Sequence, residues 1–200
     1  METTFNQKRF QTLIKATRIF SLVAMWLFAV AGVISLVALA AGIFIPDDFL
    51  TFNLSELTIH QYFDLQLEAY LSEDILNSDI TLTSLMVSGG LRAFVGSAFL
   101  AALFYLMKRI MVQVETARPF SETVTDSLRW IAYGFIGAGV ILPVFDFLFM
   151  RSIVNQIDHA FLDASYNLNI GYMFIGALIY ILMRIFEYGV FLQTQYDETV

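Results

Sequence analysis

Four long apolar segments separated by polar stretches set what this chain can fold into. Two of them, Ile19–Pro46 and Ala164–Met183, contain no charged residue, while 86–107 and 130–150 each carry one, Arg92 and Asp146. Each reaches the length of about 20 helical residues that crosses a hydrocarbon core of about 30 Å. The expected fold is therefore an all-α membrane protein. It is an antiparallel four-helix transmembrane bundle with spans at about 19–46, 86–107, 130–150 and 164–186. A small extracytoplasmic cap, 47–85, joins the first two spans. The chain is read as one membrane domain, 1–200, with an inner loop at 108–129 and a cytoplasmic tail at 187–200. Little chain remains for a separate soluble catalytic domain, and the absence of cysteine removes disulfides, thiolate metal sites and cysteine nucleophiles together.

Charge fixes the expected threading. Lys8, Arg9, Lys15 and Arg18 precede the first span, and Lys108, Arg109, Arg118 and Arg129 lie between the second and third. Between Pro46 and Leu91 there is no Lys or Arg, but there are eight acidic residues, from Asp47 to Asp79. Basic loops stay cytoplasmic during insertion. Both termini and the inner loop are thus expected inside, and 47–85 outside. A cleaved signal peptide is the competing reading of the first span, with Ala38-Leu39-Ala40 as a cleavage site. The apolar run is about twice the 7–15 residues of a secretory apolar region, so it is read as retained.

Local signals refine the plan. Residues 1–18 form a polar, basic lead-in with little periodicity. Alternation at 50–54 and 57–59 suggests short strands, and 65–77 a surface helix. Gly89-Gly90 is expected to mark the start or a bend of the second span. Ser97 with Ala101, and Gly134 with Ala138, form small-residue faces for helix packing. Pro143 is expected to kink the third span, because it removes one backbone bond and crowds the carbonyl four residues earlier. In the inner loop Pro119 stops the preceding helix. Ser121 is suited to cap the next one, with Glu122 favoured by its positive end.

Two inner segments carry a resemblance. Pro119-Phe120-Ser121 followed by Leu128-Arg129-Trp130, with the C-terminal Phe186-Glu187-Tyr188-Gly189, Leu192-Gln193 and Asp197-Glu198-Thr199-Val200, resembles the bacterial membrane family catalogued as domain of unknown function 2975. That family is similar in its four spans, its Pro-Phe-Ser/Thr lead into the third helix and its ending in Gly-x-x-Leu and Asp-x-Thr-Val. Members usually show an Asn shortly after Pro-Phe-Ser; here Thr123, Val124, Thr125 and Asp126 stand there. The resemblance implies no transferable activity. It implies a context beside small helix-turn-helix regulators, and so a DNA-binding partner at the inner face, an association rather than a physical argument.

Two pairs of charges lie within or beside the spans. Arg92 and Asp146 each lie about four residues inside the outer end of their span, at one depth, which suggests a gate or ion path, a helix–helix ion pair near the outer surface, or two side chains snorkelling outward. Arg184 and Glu187, three apart, share a helical face, as a docking point for the inner loop or as an interfacial pair. The acidic outer residues show no calcium-loop spacing. His60 and His159, near Glu56 and Asp158, show no zinc-site spacing. The terminal Asp-Glu-Thr-Val also looks like a carboxylate-captured peptide ligand. No phosphate loop, dinucleotide glycine pattern or nucleophile elbow is present. No cofactor, metal or direct nucleic-acid binding is expected.

The leading expectation is a non-enzymatic accessory or regulatory protein of the bacterial inner membrane. Its partner-binding candidates are Pro119, Phe120, Ser121, Glu187, Gly189, Asp197 and Thr199. A small oligomeric transporter or channel, resting on the intramembrane charges Arg92, Asp146 and Arg184, is the alternative. Immunity against cationic peptides, resting on the acidic outer loop, is a third reading. Expected partners are the lipid bilayer, a small helix-turn-helix regulator and further copies of the chain.

Overall fold

The structure, a computed structural model, describes the backbone of residues 2–45, 51–53, 79–116, 119–157 and 165–199, and side chains within 9–45, 83–116, 119–155 and 165–196. Four helices dominate it: α1 (Glu2–Phe44), α2 (Leu82–Glu115), α3 (Glu122–Ile157) and α4 (Ile170–Thr199). All four are long and apolar enough to cross a membrane. The chain is a multi-pass, all-α membrane protein. A short antiparallel ribbon joins β1 (Thr51–Asn53) to β2 (Asp79–Thr81), with Phe52 opposite Ile80. The strand expected at 50–54 is thus present at 51–53. The expectations for 57–59 and 65–77, and those on His60, His159, Glu56 and Asp158, lie outside the described residues.

The helices run well past the apolar segments. With 43 residues, α1 is about 64 Å long at 1.5 Å per residue, twice a hydrocarbon core. The polar lead-in is helical from Glu2 because Gln, Lys, Arg and Ala are good helix formers and nothing in it breaks the helix. Likewise α2 begins at Leu82, so Gly89-Gly90 lies inside it rather than at its start.

Helix ends follow local chemistry. Thr116 closes α2, its hydroxyl donating to the Gln113 carbonyl at 3.0 Å. The Val124 N–H donates to Ser121 Oγ at 3.4 Å, the expected cap of α3. At the start of α4 the Tyr172 N–H donates to Asn169 Oδ1 at 3.2 Å. The apolar run expected to begin the fourth span at 164 is therefore irregular over 165–169 and becomes helical only after this Asn cap.

The third span was expected to kink at Pro143, and α3 continues through it. A proline cannot donate to the carbonyl four residues earlier, here that of Gly139. That carbonyl accepts the Asn169 N–H instead, at 3.0 Å. The residue that caps α4 thus also satisfies the oxygen left over by Pro143.

The described chain forms two compact units. One comprises Met1–Gly32, Gly96–Ile141 and Leu168–Val200, and draws on all four helices. Its core holds Ile14, Ser21, Ala24, Val124, Ser127, Ala132, Ala138 and Met183. The buried hydroxyls bond to carbonyls one turn back, Ser21 to Thr17 at 2.8 Å and Ser127 to Thr123 at 2.7 Å. Rings interlock around this core: Phe104 between Phe20 and Phe28, and Phe135 between Phe99 and Tyr172. Helices α3 and α4 approach closely because Gly176 has no side chain. A Cβ there would stand 2.8 Å from the Ala132 carbonyl oxygen and 2.7 Å from Ile136 Cγ1.

The other unit comprises Val33–Val95 and Leu142–Asn167, with parts of α1, α2 and α3. Here α1 and α2 touch at Gly42, where a Cβ would meet Met86 and the Thr83 oxygen at 2.9 Å. Outside these seams large apolar side chains face outward, among them Ile34, Val37 and Phe44. In lipid such exposure costs nothing, since acyl chains are as apolar as the side chains.

Candidate functional site

The α2–α3 connection is short and turns on Pro119-Phe120-Ser121. Its Phe120 side chain does not project freely. A Cβ on Gly189 would lie 2.7 Å from Phe120 Cδ1 and 2.9 Å from Cε1, so the ring occupies the space that glycine leaves open on α4. Phe186, nearly one turn earlier on α4, meets the same ring with centroids 5.4 Å apart. Phe120 nevertheless keeps 45% of its surface exposed. The motif residues 119–121 and 186–189 are therefore one assembly, brought together by packing.

A chain of alternating charges runs beside it. Asp126 Oδ1 accepts from Arg129 Nη1 at 3.0 Å, and Arg129 Nη2 donates to Glu187 Oε1 at 3.4 Å. Glu187 Oε2 accepts from Arg184 Nη1 at 2.7 Å. Arg184 also donates to the Tyr180 hydroxyl at 3.0 Å and lies over that ring. The anticipated Arg184–Glu187 pair is present, and Glu187 serves two arginines from two helices. Asp126, in the stretch after Pro119-Phe120-Ser121, holds Arg129. All four charged side chains are at least one-third exposed, so each link is worth little alone. Their value lies in fixing the register of α3 against α4. In the same unit Arg18 pairs with Glu115 at 2.5 Å, tying α1 to the end of α2.

Sequence reasoning did not find the Arg129–Glu187 and Arg18–Glu115 links or the Phe120–Gly189 contact. The first two join residues 58 and 97 positions apart, and no local signal announces them. Asp197 and Thr199 belong to the last turns of α4, and their side chains lie outside the described residues.

The second constellation is Arg92 with Asp146. Arg92 Nε donates to Asp146 Oδ1, joining α2 to α3, and the guanidinium also sits 5.7 Å from the Phe149 ring centre. One turn along α2, the Ser88 and Ser152 hydroxyls are 2.7 Å apart. The expected equal depth of the two charges is thus realised as a direct pair. About half of each side chain remains exposed, 53% and 50%. Among the described residues no group of three or more His, Cys, Asp or Glu is placed to hold a metal.

No curated protein and no solved structure matches the chain. Residues 76–200, from just before β2 to the last residue, match the family described as protein of unknown function (DUF2975). This match covers more than half of the chain and contains both the Pro119-Phe120-Ser121 turn and its Gly189 seat, and the protein belongs to that family.

Proposed function

We propose that this protein is a non-enzymatic accessory or regulatory protein of the bacterial cytoplasmic membrane. It would act through a cytoplasmic partner-binding face made by the α2–α3 connection and the C-terminal half of α4. The observation that supports this reading is the seating of Phe120 on Gly189. A half-exposed aromatic ring is held in one position at the end of the bundle, beside the Asp126–Arg129–Glu187–Arg184 chain. Such rigid aromatic and arginine groups are the side chains that dominate protein interfaces.

Two further facts are consistent with it. All Lys and Arg except Arg92 and Arg151 fall in 8–18, 108–129 or at 184, which by the positive-inside rule favours the cytoplasm for that end. With 30 residues, α4 is about 45 Å long and exceeds the hydrocarbon core by about 15 Å. Tyr188, Phe191 and Tyr196 are exposed along that stretch. A small helix-turn-helix regulator is the partner we favour, on the family resemblance.

The test is crosslinking in native cells followed by purification through an N-terminal tag, with the wild type, Phe120→Ala and Gly189→Leu side by side. The reading expects a small DNA-binding regulator with the wild type and its loss in both variants, at unchanged membrane levels. Retention of that partner by both variants would overturn the assigned face. The transporter alternative rests on Asp146. Liposome flux that is the same in wild type and Asp146→Asn would remove its basis.

A further inference from the structure

We infer that the face carrying Arg92 and Asp146 is the contact surface between two copies of this chain in the membrane. Arg92 stands sixteen residues before Lys108 on α2, about 24 Å along the helix. With Lys108 at one boundary of a core of about 30 Å, Arg92 lies inside the other. Asp146 stands sixteen residues after Trp130 on α3, which gives the same depth.

At that depth an ion pair should be enclosed. Charged side chains within a membrane face the interior of a bundle or one another, because hydrocarbon does not solvate them. Here the pair satisfies itself on one side only and leaves about half of both side chains open, 53% and 50%. Ala93 beside it is exposed as well. The serine pair Ser88–Ser152 lies one turn away, within the seam.

The chemistry of the patch says what covers it. It bears one cation and one anion side by side, so a two-fold axis through it sets the Arg92 of each copy against the Asp146 of the other. An isologous interface needs this self-complementarity, and a patch of one sign could not provide it. Guanidinium donors left over from the single Nε contact would then reach the second carboxylate, giving a closed ring of four charges. A partner of single charge would leave one of the two groups uncovered.

The chain contains no cysteine, so single cysteines report proximity without background. The protein in native membranes is oxidised with copper phenanthroline, carrying Ala93→Cys or, on α1, Ile34→Cys, both at exposed positions. The expected result is a disulfide-linked dimer from Ala93→Cys, and at least about tenfold less from Ile34→Cys. The discriminating variant is the charge swap, Arg92→Asp with Asp146→Arg in one chain. It keeps the pair within the chain and across the two-fold axis, so Ala93→Cys should still crosslink it to itself. Mixed with the unswapped chain it juxtaposes like charges, and heterotypic dimer should fall at least about tenfold below homotypic. Equal heterotypic and homotypic yields would overturn the proposal. So would Ala93→Cys crosslinking no better than Ile34→Cys; lipid headgroups, not a second copy, would then cover the pair.

Discussion

The Asn169 N–H donates to the Gly139 carbonyl at 3.0 Å, and that carbonyl is the one Pro143 leaves without its helical donor. In a membrane an unsatisfied backbone oxygen costs several kcal/mol, and prolines are tolerated in spans where another group takes up the freed acceptor. Here the substitute is the residue whose side chain caps α4. One proline in α3 thereby fixes where α4 begins.

Replacing Pro143 with Ala restores an N–H that competes for the Gly139 oxygen. The Asn169 amide should then lose protection, and the α3–α4 connection should loosen even if the helix itself gains. The expected outcome is faster hydrogen exchange at Asn169 by about tenfold, with α3 amides unchanged or slower, the tenfold corresponding to about 1.4 kcal/mol. Unchanged exchange at Asn169 would mean that the Gly139 contact contributes nothing to the start of α4.

Gly189 and Phe120 make a second coupled pair, and a double-mutant cycle reads it. An alanine in a helix interior is favoured over glycine by about 0.8–1.0 kcal/mol. In the Phe120→Ala background, where the ring is gone, Gly189→Ala should raise stability by about that amount. In the wild type the added Cβ strikes the ring at 2.7 Å, so the same change should be neutral or destabilising, by up to about 1–3 kcal/mol for overpacking. Thermal unfolding in detergent with the four variants measures the coupling. Additive effects would show that ring and glycine do not touch.

Much of the plan could be read from the sequence, because the signals are local. The Ser121 cap depends on residues a few positions away. Arg92 and Asp146 could be matched because each lies about four residues inside the end of its apolar segment. What could not be read is register between helices. Apolar periodicity locates one buried face in water, but a span is apolar all round, so hydropathy does not say which side of α4 meets α3. Arg184 and Glu187 could thus be read as a docking point for the inner loop, but neither Arg129 as the residue that docks there nor the seat of Phe120 on Gly189 could be named. The start of α1 was not marked either, for a related reason. An apolar run marks where hydrocarbon is, while α1 starts at Glu2, well before it.

Glu187 is the shared counter-charge of Arg129 and Arg184, so Glu187→Gln should cost more than removing either arginine's charge. Because these side chains are 38–60% exposed, solvent screening keeps the loss to about 0.5–1.5 kcal/mol. It should shrink further at about 1 M salt, where the Debye length is about 3 Å. Thermal melts of the wild type and Glu187→Gln at low and high salt test this. A loss that does not diminish with salt would point to packing rather than charge.

The proposed orientation makes a sharp prediction in this cysteine-free chain. Ser165, in the connection before α4, and Glu122, in the first turn of α3, are both exposed. If basic segments are retained inside, a Ser165→Cys variant should react with a membrane-impermeant maleimide on intact spheroplasts. A Glu122→Cys variant should react only after permeabilisation. Glu122 opens α3 and Ser165 stands just before α4, so one labelling pattern tests both segments. The reverse pattern would put Phe120 and its Gly189 seat outside the cell. A cytoplasmic regulator could not then be the partner, and the acidic segment 47–79 would become the inner surface.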